Sequence, residues 1–231
     1  MKAFLKKQLH RYKYPQYLFA KKINERIHGI KFANDIIIDA PCGGGETSYW
    51  LAKENQSAQV FGFDNEELTI NTIPDYLKNK NLHFESADIY HMLDTQKESA
   101  AVFCLINSLF LLPDNSLLLK KISQVICNGG HFFLIIPNID GQNYKNFMKT
   151  EDSKINIYEY SVQSLIDFIS PYGFIHTYTA PLAYAHFFGR KELKYFRTFF
   201  SLYLYLLNTI ETFTKARQPS YWLVEFKKMK V

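Results

Sequence analysis

Short apolar runs alternate with longer amphipathic stretches along this chain, and that rhythm predicts its elements. Ile36-Ile37-Ile38 closes on Asp39, within a strand expected over 35–40. Three consecutive β-branched residues suit a strand buried on both faces. Further apolar runs at Val60–Asp64, Leu82–Ser86, Ala101–Ile106, His131–Asn138, Phe174–Leu182 and Ser220–Lys228 read as strands. Between them, helical patterns are expected over Glu46–Glu54, Glu66–Lys78 and Ser161–Ser170. Another helix opens at Pro113-Asp114-Asn115, with Leu118, Ile122, Val125 and Ile126 on its inner face. Asn128-Gly129-Gly130 is expected to stop it, and Pro171-Tyr172-Gly173 to close the Ser161–Ser170 helix. Residues 1–33 read as one or two helices interrupted at Pro15.

One stretch breaks the alternation. From Gly189 to Arg217 the apolar residues Leu193, Phe196, Phe200, Tyr203, Leu207 and Ile210 keep a helical period. Lys191, Lys194, Thr198, Ser201, Asn208 and Thr212 leave only a narrow polar stripe. Most of this helix is apolar, more than one packed face requires.

Composition changes the picture little. Of 231 residues, 47% are hydrophobic and 21% charged, which favours a packed globule over a disordered chain. Three cysteines without paired spacing argue against a disulfide framework or a zinc site. The basic N-terminus lacks the apolar core of a signal peptide, and Thr198–Ile210 is too short to span a bilayer. A cytoplasmic protein is expected. Charge adds more. The net +5 divides into +8 over residues 1–31, −9 over 32–189 and +6 over 190–231. An acidic middle therefore carries a basic segment at each end, which bears on partners.

The chemistry centres on Asp39-Ala40-Pro41-Cys42-Gly43-Gly44-Gly45-Glu46. Glycines permit positive φ and let a ligand approach the backbone. A helix beginning near Glu46 offers free N–H groups. A dinucleotide fingerprint would need a third glycine where Ser48 stands, and it leaves the acid at the strand end unexplained. Asp64 closes the second strand nineteen residues after Gly45, near the spacing at which an acid holds ribose hydroxyls. Its alternative use is to cap the helix that follows.

Asp39, Gly43 and Gly45 match the first motif of the class I S-adenosylmethionine-dependent methyltransferases, and the chain resembles that family over about residues 34–140. Pro41 departs from the motif, standing where a further glycine is common. Gly129–Asn138 resembles the "Gly-Gly, apolar strand, Pro-Asn" segment of the small-molecule members. The resemblance implies a Rossmann-like α/β fold with a seven-stranded, mostly parallel sheet, its last strand antiparallel, and helices on both faces. It implies a basic helical cap at 1–33 and a methyltransferase domain at 34–231 with a helical lid inserted at 189–217. Insertions at that place usually build the acceptor pocket.

S-adenosylmethionine is then the expected cofactor, bound at the carboxyl ends of the strands. Asp39, Ala40, Pro41, Cys42, Gly43 and Gly45 would face its methionine part. Asp64 and Asn65 would lie by the ribose, Asp88 and Ile89 by the adenine, and Asn107 and Ser108 at the transfer centre. Asn107-Ser108-Leu109-Phe110 lacks the prolines of the Asn-Pro-Pro-aromatic motif, which counts against a nucleobase amine as acceptor. The same strand-direction argument sets aside His83 and His131, which begin their strands, and keeps His28, His91 and His186. His186 is the preferred general base. Asn138, Tyr184, Phe196, Phe200 and Tyr203 are expected acceptor contacts. No metal is expected. The acceptor is expected to be a small apolar or aromatic molecule methylated on oxygen or carbon. The basic, aromatic ends suit attachment to an anionic membrane surface or an acidic carrier protein, or a homodimer interface. An RNA or protein methyltransferase and a non-catalytic cofactor-binding protein are the alternative readings.

Overall fold

The computed structural model describes residues 16–30, 35–96, 99–141, 144, 158–182 and 218–230. Seven strands form one sheet: β1 (Ile36–Asp39), β2 (Gln59–Asp64), β3 (Leu82–Ser86), β4 (Ala100–Ile106), β5 (Ile126–Pro137), β6 (Phe174–Leu182) and β7 (Tyr221–Lys228). Their order is β3-β2-β1-β4-β5-β7-β6. The first five pair in parallel, and β7 runs antiparallel between β5 and β6. The described helices are α1 (Gln16–Ile27), α2 (Glu46–Glu54), α3 (Glu67–Asn71), α4 (Ile89–Thr95), α5 (Asn115–Val125) and α6 (Val162–Ile169).

The alternation of strand side chains divides the core in two. Ile36 and Ile38 of β1, Phe103 and Leu105 of β4, and Phe132, Leu134 and Ile136 of β5 meet helices α4, α5 and α6 on one face. Ile37, Cys104, Phe133 and Ile135 point the other way, toward α1 and α2. Each fully buried isoleucine contributes about 2–3 kcal/mol relative to exposure. The central strands are covered on both sides, which is why they read as unbroken apolar runs. Helix α1 starts directly after Pro15 and buries Phe19, Ala20, Ile23 and Ile27 against the second face. This described part of the N-terminal segment lies on the sheet. Residues 1–15 and the stretch 183–217, with the expected lid, lie outside the described residues.

Two helical expectations are corrected. The helix expected over Glu66–Lys78 stops at Asn71, and a separate 3₁₀ turn covers Asp75–Leu77. Pro74 explains this, because proline has no N–H to continue the ladder and disfavours helical geometry at Ile73. The helix expected to run to Asn128-Gly129-Gly130 ends at Val125. Ile126 already belongs to β5 and pairs with Ala100, whereas His131 pairs with Val102. The residues between bulge outward, with Gly129 at φ 79°. Lys228 closes that helix end by donating Nζ to the carbonyls of Ser123 and Ile126 (the latter at 3.1 Å).

Candidate active site

The site grows from the carboxyl ends of four adjacent strands, β3, β2, β1 and β4. Asp39 ends β1 and is buried, 1% exposed. Its Oδ2 accepts a 2.6 Å hydrogen bond from Ser48 Oγ. Its Oδ1 is buried with no hydrogen-bond partner among the described residues. Burial pushes this carboxyl up to about 7; the Ser48 hydrogen bond opposes that shift and the nearby Asp64 charge adds to it. Ser48, fully buried on α2, occupies the place whose missing glycine spoils the dinucleotide fingerprint. The sequence reading missed this role, because Ser48 stands beside other polar residues, Glu46 and Thr47, in the first turn of the helix.

The loop after β1 is fixed by Asp64. Gly43, at φ 51°, donates its N–H to Asp64 Oδ2 at 2.8 Å. Asp64 Oδ1 accepts from the Glu66 N–H at 3.1 Å, so the carboxylate holds both the glycine loop and the entry to α3. Cys42 N donates to Phe63 O at 2.7 Å, and Ala40 N to Cys104 O at 3.1 Å. The Ala40–Pro41 peptide is cis. The glycines differ in purpose. A Cβ on Gly43 would meet nothing within 4 Å, so this part of the loop is open. A Cβ on Gly45, at φ 77°, would stand 2.6 Å from the Phe84 ring, and one on Gly62 would stand 2.7 Å from it. Gly45 and Gly62 therefore make room for Phe84 of β3.

The other expected residues take distinct places. Asp88 lies just beyond β3 and caps α4, its Oδ1 accepting from the N–H groups of Tyr90 and His91 at 3.0 and 3.1 Å. Asn65 is exposed in the turn after β2. Ile89 is buried among the core residues of α4. Asn107 follows β4 with φ 54°, a left-handed conformation unusual for a residue other than glycine. Ser108 is buried and its Oγ has no partner among the described residues. Asn138, beyond β5, has its amide committed to backbone: Nδ2 donates to Pro219 O, and Oδ1 accepts from Asp140 N. Tyr184, His186, Phe196, Phe200 and Tyr203 lie outside the described residues. His83 and His131 pair with Gln59 and Glu225. His28 lines a surface cavity of about 200 Å³ with Asp35 and Ile36, at the opposite end of β1 from Asp39.

Tyrosines that the sequence reading did not single out brace the connection from β4 to α5. Tyr90 OH donates to the Asp114 carbonyl and accepts from the Asp114 N–H, both at 3.1 Å. Tyr158 OH donates to Pro113 O at 3.0 Å, and Asn115 Nδ2 donates to Tyr160 OH at 2.9 Å.

A family model described as a methyltransferase domain matches residues 31–187. No curated protein sequence matches the chain. Solved structures share the fold. A SAM dependent methyltransferase from Archaeoglobus fulgidus aligns at 15% identity and a TM-score of 0.64, covering 94% of this chain and 96% of its own. Coclaurine N-methyltransferase bound to N-methylheliamine and SAH aligns at 16% identity and a TM-score of 0.63, covering 92% and 72%. Magnesium protoporphyrin IX methyltransferase from Synechocystis PCC 6803 with bound SAH aligns at 13% identity and a TM-score of 0.60, covering 92% and 82%.

Proposed function

This chain belongs to the methyltransferase domain family, and on that premise we propose that it transfers the methyl group of S-adenosylmethionine to a small, largely apolar or aromatic acceptor. One observation carries the cofactor assignment. Asp39 Oδ1 is a buried carboxylate oxygen with no partner among the described residues, beside a glycine loop whose open residue is held by the next acid along the sheet. An unpaired buried charge is costly unless a ligand completes it. A cationic ligand with hydrogen-bond donors fits that need.

The cofactor supplies an activated methyl group on a positively charged sulfur. The chain's own residues supply position. Asp39 meets the cationic amino-acid end, with Ser48 fixing its carboxylate. The glycine loop and the N-terminal end of α2 approach the cofactor carboxylate. Asp64 is already shared between Gly43 and Glu66 N–H groups, so it approaches the ribose hydroxyls with both oxygens partly satisfied. Asp88 keeps Oδ2 for the adenine edge while Oδ1 caps α4. Asn107 and Ser108 border the transfer centre. Holding the acceptor close and in line provides much of the rate, because sulfur leaves readily.

The acceptor class rests on the aromatic, basic character of the 189–217 stretch, which contains Phe196, Phe200 and Tyr203. Calorimetry tests the assignment directly. S-adenosylmethionine and its demethylated product should bind the intact protein, and Asp39→Asn should abolish that binding without unfolding the chain. Unchanged affinity in Asp39→Asn would sink the assignment.

A further inference from the structure

Where β4 and β5 end, two side chains meet that the cofactor reading leaves without a task. Tyr144 follows Pro137, the last residue of β5, by seven positions and is 6% exposed. Its hydroxyl donates to Glu159 Oε1 at 3.0 Å. The neighbours of Glu159 fix its location. Tyr158 N donates to Phe110 O at 3.1 Å and Tyr158 OH to Pro113 O, while Tyr160 bonds Asn115. Phe110 and Pro113 belong to the connection leaving β4, and Asn115 opens the helix that follows it. The pair therefore bridges the carboxyl ends of β4 and β5, one strand over from Asp39 and on the side of β4 away from β2 and β3. That is the flank left for an acceptor once a nucleoside occupies β1 to β3.

The chemistry of the pair is asymmetric. Burial, the hydrogen bond to Glu159 and that carboxylate's charge all push the Tyr144 phenol up, so it remains a protonated donor. Glu159 is exposed, held at one oxygen, and its Oε2 makes no hydrogen bond among the described residues. A carboxylate oriented by a neutral donor, with one oxygen open toward a substrate, has the geometry required of a general base.

We propose that Glu159 takes the proton of the methyl acceptor, that Tyr144 positions Glu159, and that the accepting atom is an oxygen or nitrogen bearing hydrogen rather than carbon. This rests on the function proposed above and narrows it. The acceptor's O–H or N–H bond breaks, its proton passing to Glu159 Oε2. The electron pair of that oxygen or nitrogen forms the new bond to the methyl carbon. The carbon–sulfur bond breaks, with both its electrons kept by sulfur.

The test uses intact protein with S-adenosylmethionine carrying a trideuterated methyl group and a small-molecule extract of the cells that encode the chain. Mass spectrometry finds the labelled product, and calorimetry with S-adenosylhomocysteine runs in parallel. Glu159→Gln should lower labelled product about 100-fold or more while S-adenosylhomocysteine affinity stays within about twofold. Tyr144→Phe should lower kcat about tenfold for the purified acceptor with little change in KM, which loss of packing alone would not produce. Fragmentation should place the label on oxygen or nitrogen and say which. A carbon-methylated product, or wild-type yield from Glu159→Gln, overturns the proposal. So does cofactor-product binding with no labelled product, which leaves the cofactor site standing. Absence of that binding in the wild-type protein overturns the parent function as well.

Discussion

Asp39 couples ligand uptake to protonation. Its folded carboxyl stands near 7 against an ordinary 3.8, chiefly through burial. A raised carboxylate binds its proton more tightly in the folded chain, so stability falls as pH rises from about 4 to about 7 and stays low above that. The shift corresponds to roughly 4 kcal/mol of differential stability. Asp39→Asn should therefore raise the Tm of the ligand-free protein at pH 8, with little change at pH 4. Pairing with a cationic ligand should return the carboxyl to its ionised form. Calorimetry in buffers of differing ionisation enthalpy should then register release of about one proton per cofactor at pH 6 and almost none at pH 9. Equal release at both values would exclude the coupling. Gly43 and Gly45 separate two roles of glycine. Gly43→Ala should cost about 1 kcal/mol in folding, through its positive φ, and weaken cofactor binding. Gly45→Ala should cost about 2–4 kcal/mol, because its Cβ also overlaps Phe84. Urea unfolding beside calorimetry distinguishes them. At this scale Asp39 and Asp64 were legible, because an acid closing an apolar run is visible in one dimension. Ser48 was not, because its value depends on which way the first turns of α2 face. Tyr144 and Glu159 were not, because fifteen residues separate partners that only the folded chain brings together.

Elements were read best where one force dominates. The Leu82–Ser86 and Phe174–Leu182 strands and the Glu46–Glu54 helix fall at their expected limits. The two strands are partly exposed sheet edges, and flanking turn residues, such as Gly173 before Phe174, mark their limits. Pro74 and the bulge at Cys127–Gly130 misled the reading, since in each case local geometry cut across an otherwise continuous pattern. The polar contacts that dock α1 were not legible in the sequence. Arg26 Nε donates to Glu225 Oε2, and His131 Nδ1 meets Glu225 Oε1, both at 2.7 Å. Arg26 also lies 4.2 Å from the centre of the Tyr178 ring. Burial alone would raise the Glu225 carboxyl, but the hydrogen bonds and charges of His131 and Arg26 outweigh it and lower it. Glu225→Ala should destabilise the protein by about 3 kcal/mol at pH 7, leaving two polar partners without their acid. A lowered carboxyl stabilises above its unfolded pKa and loses that contribution as pH falls through its folded value. The gap between wild type and Glu225→Ala in urea unfolding should consequently narrow at pH 3; a constant gap would mean that packing, not charge, holds α1.

On the scale of the molecule, the acidic middle noted in the sequence coincides with most of the sheet. The −9 stretch spans β1 to β6 and the strand-end acids, whereas the described basic residues of the two ends lie in α1 (Lys21, Lys22, Arg26) and in or just after β7 (Lys227, Lys228, Lys230). This pattern of charge along the sequence would suit a cationic ligand at the strand ends and an anionic surface or carrier at the basic segments. If it serves acceptor delivery, Lys6→Glu, Lys7→Glu and Arg11→Glu together should weaken binding to anionic vesicles, most clearly at low salt. Indifference of the triple variant would remove that role.

The place of β7 has a consequence for how the chain is made. Synthesis delivers β6 before β7, yet β6 touches the sheet only through β7. Until residues 221–228 leave the ribosome, β5 presents an open edge and β6 has no strand to join. The growing polypeptide must therefore keep two unfinished edges from pairing with neighbours, and assembly of that half of the sheet becomes a late event. Arrested nascent chains ending before Tyr221 should accordingly resist proteolysis through β4 and be cleaved readily across 174–182.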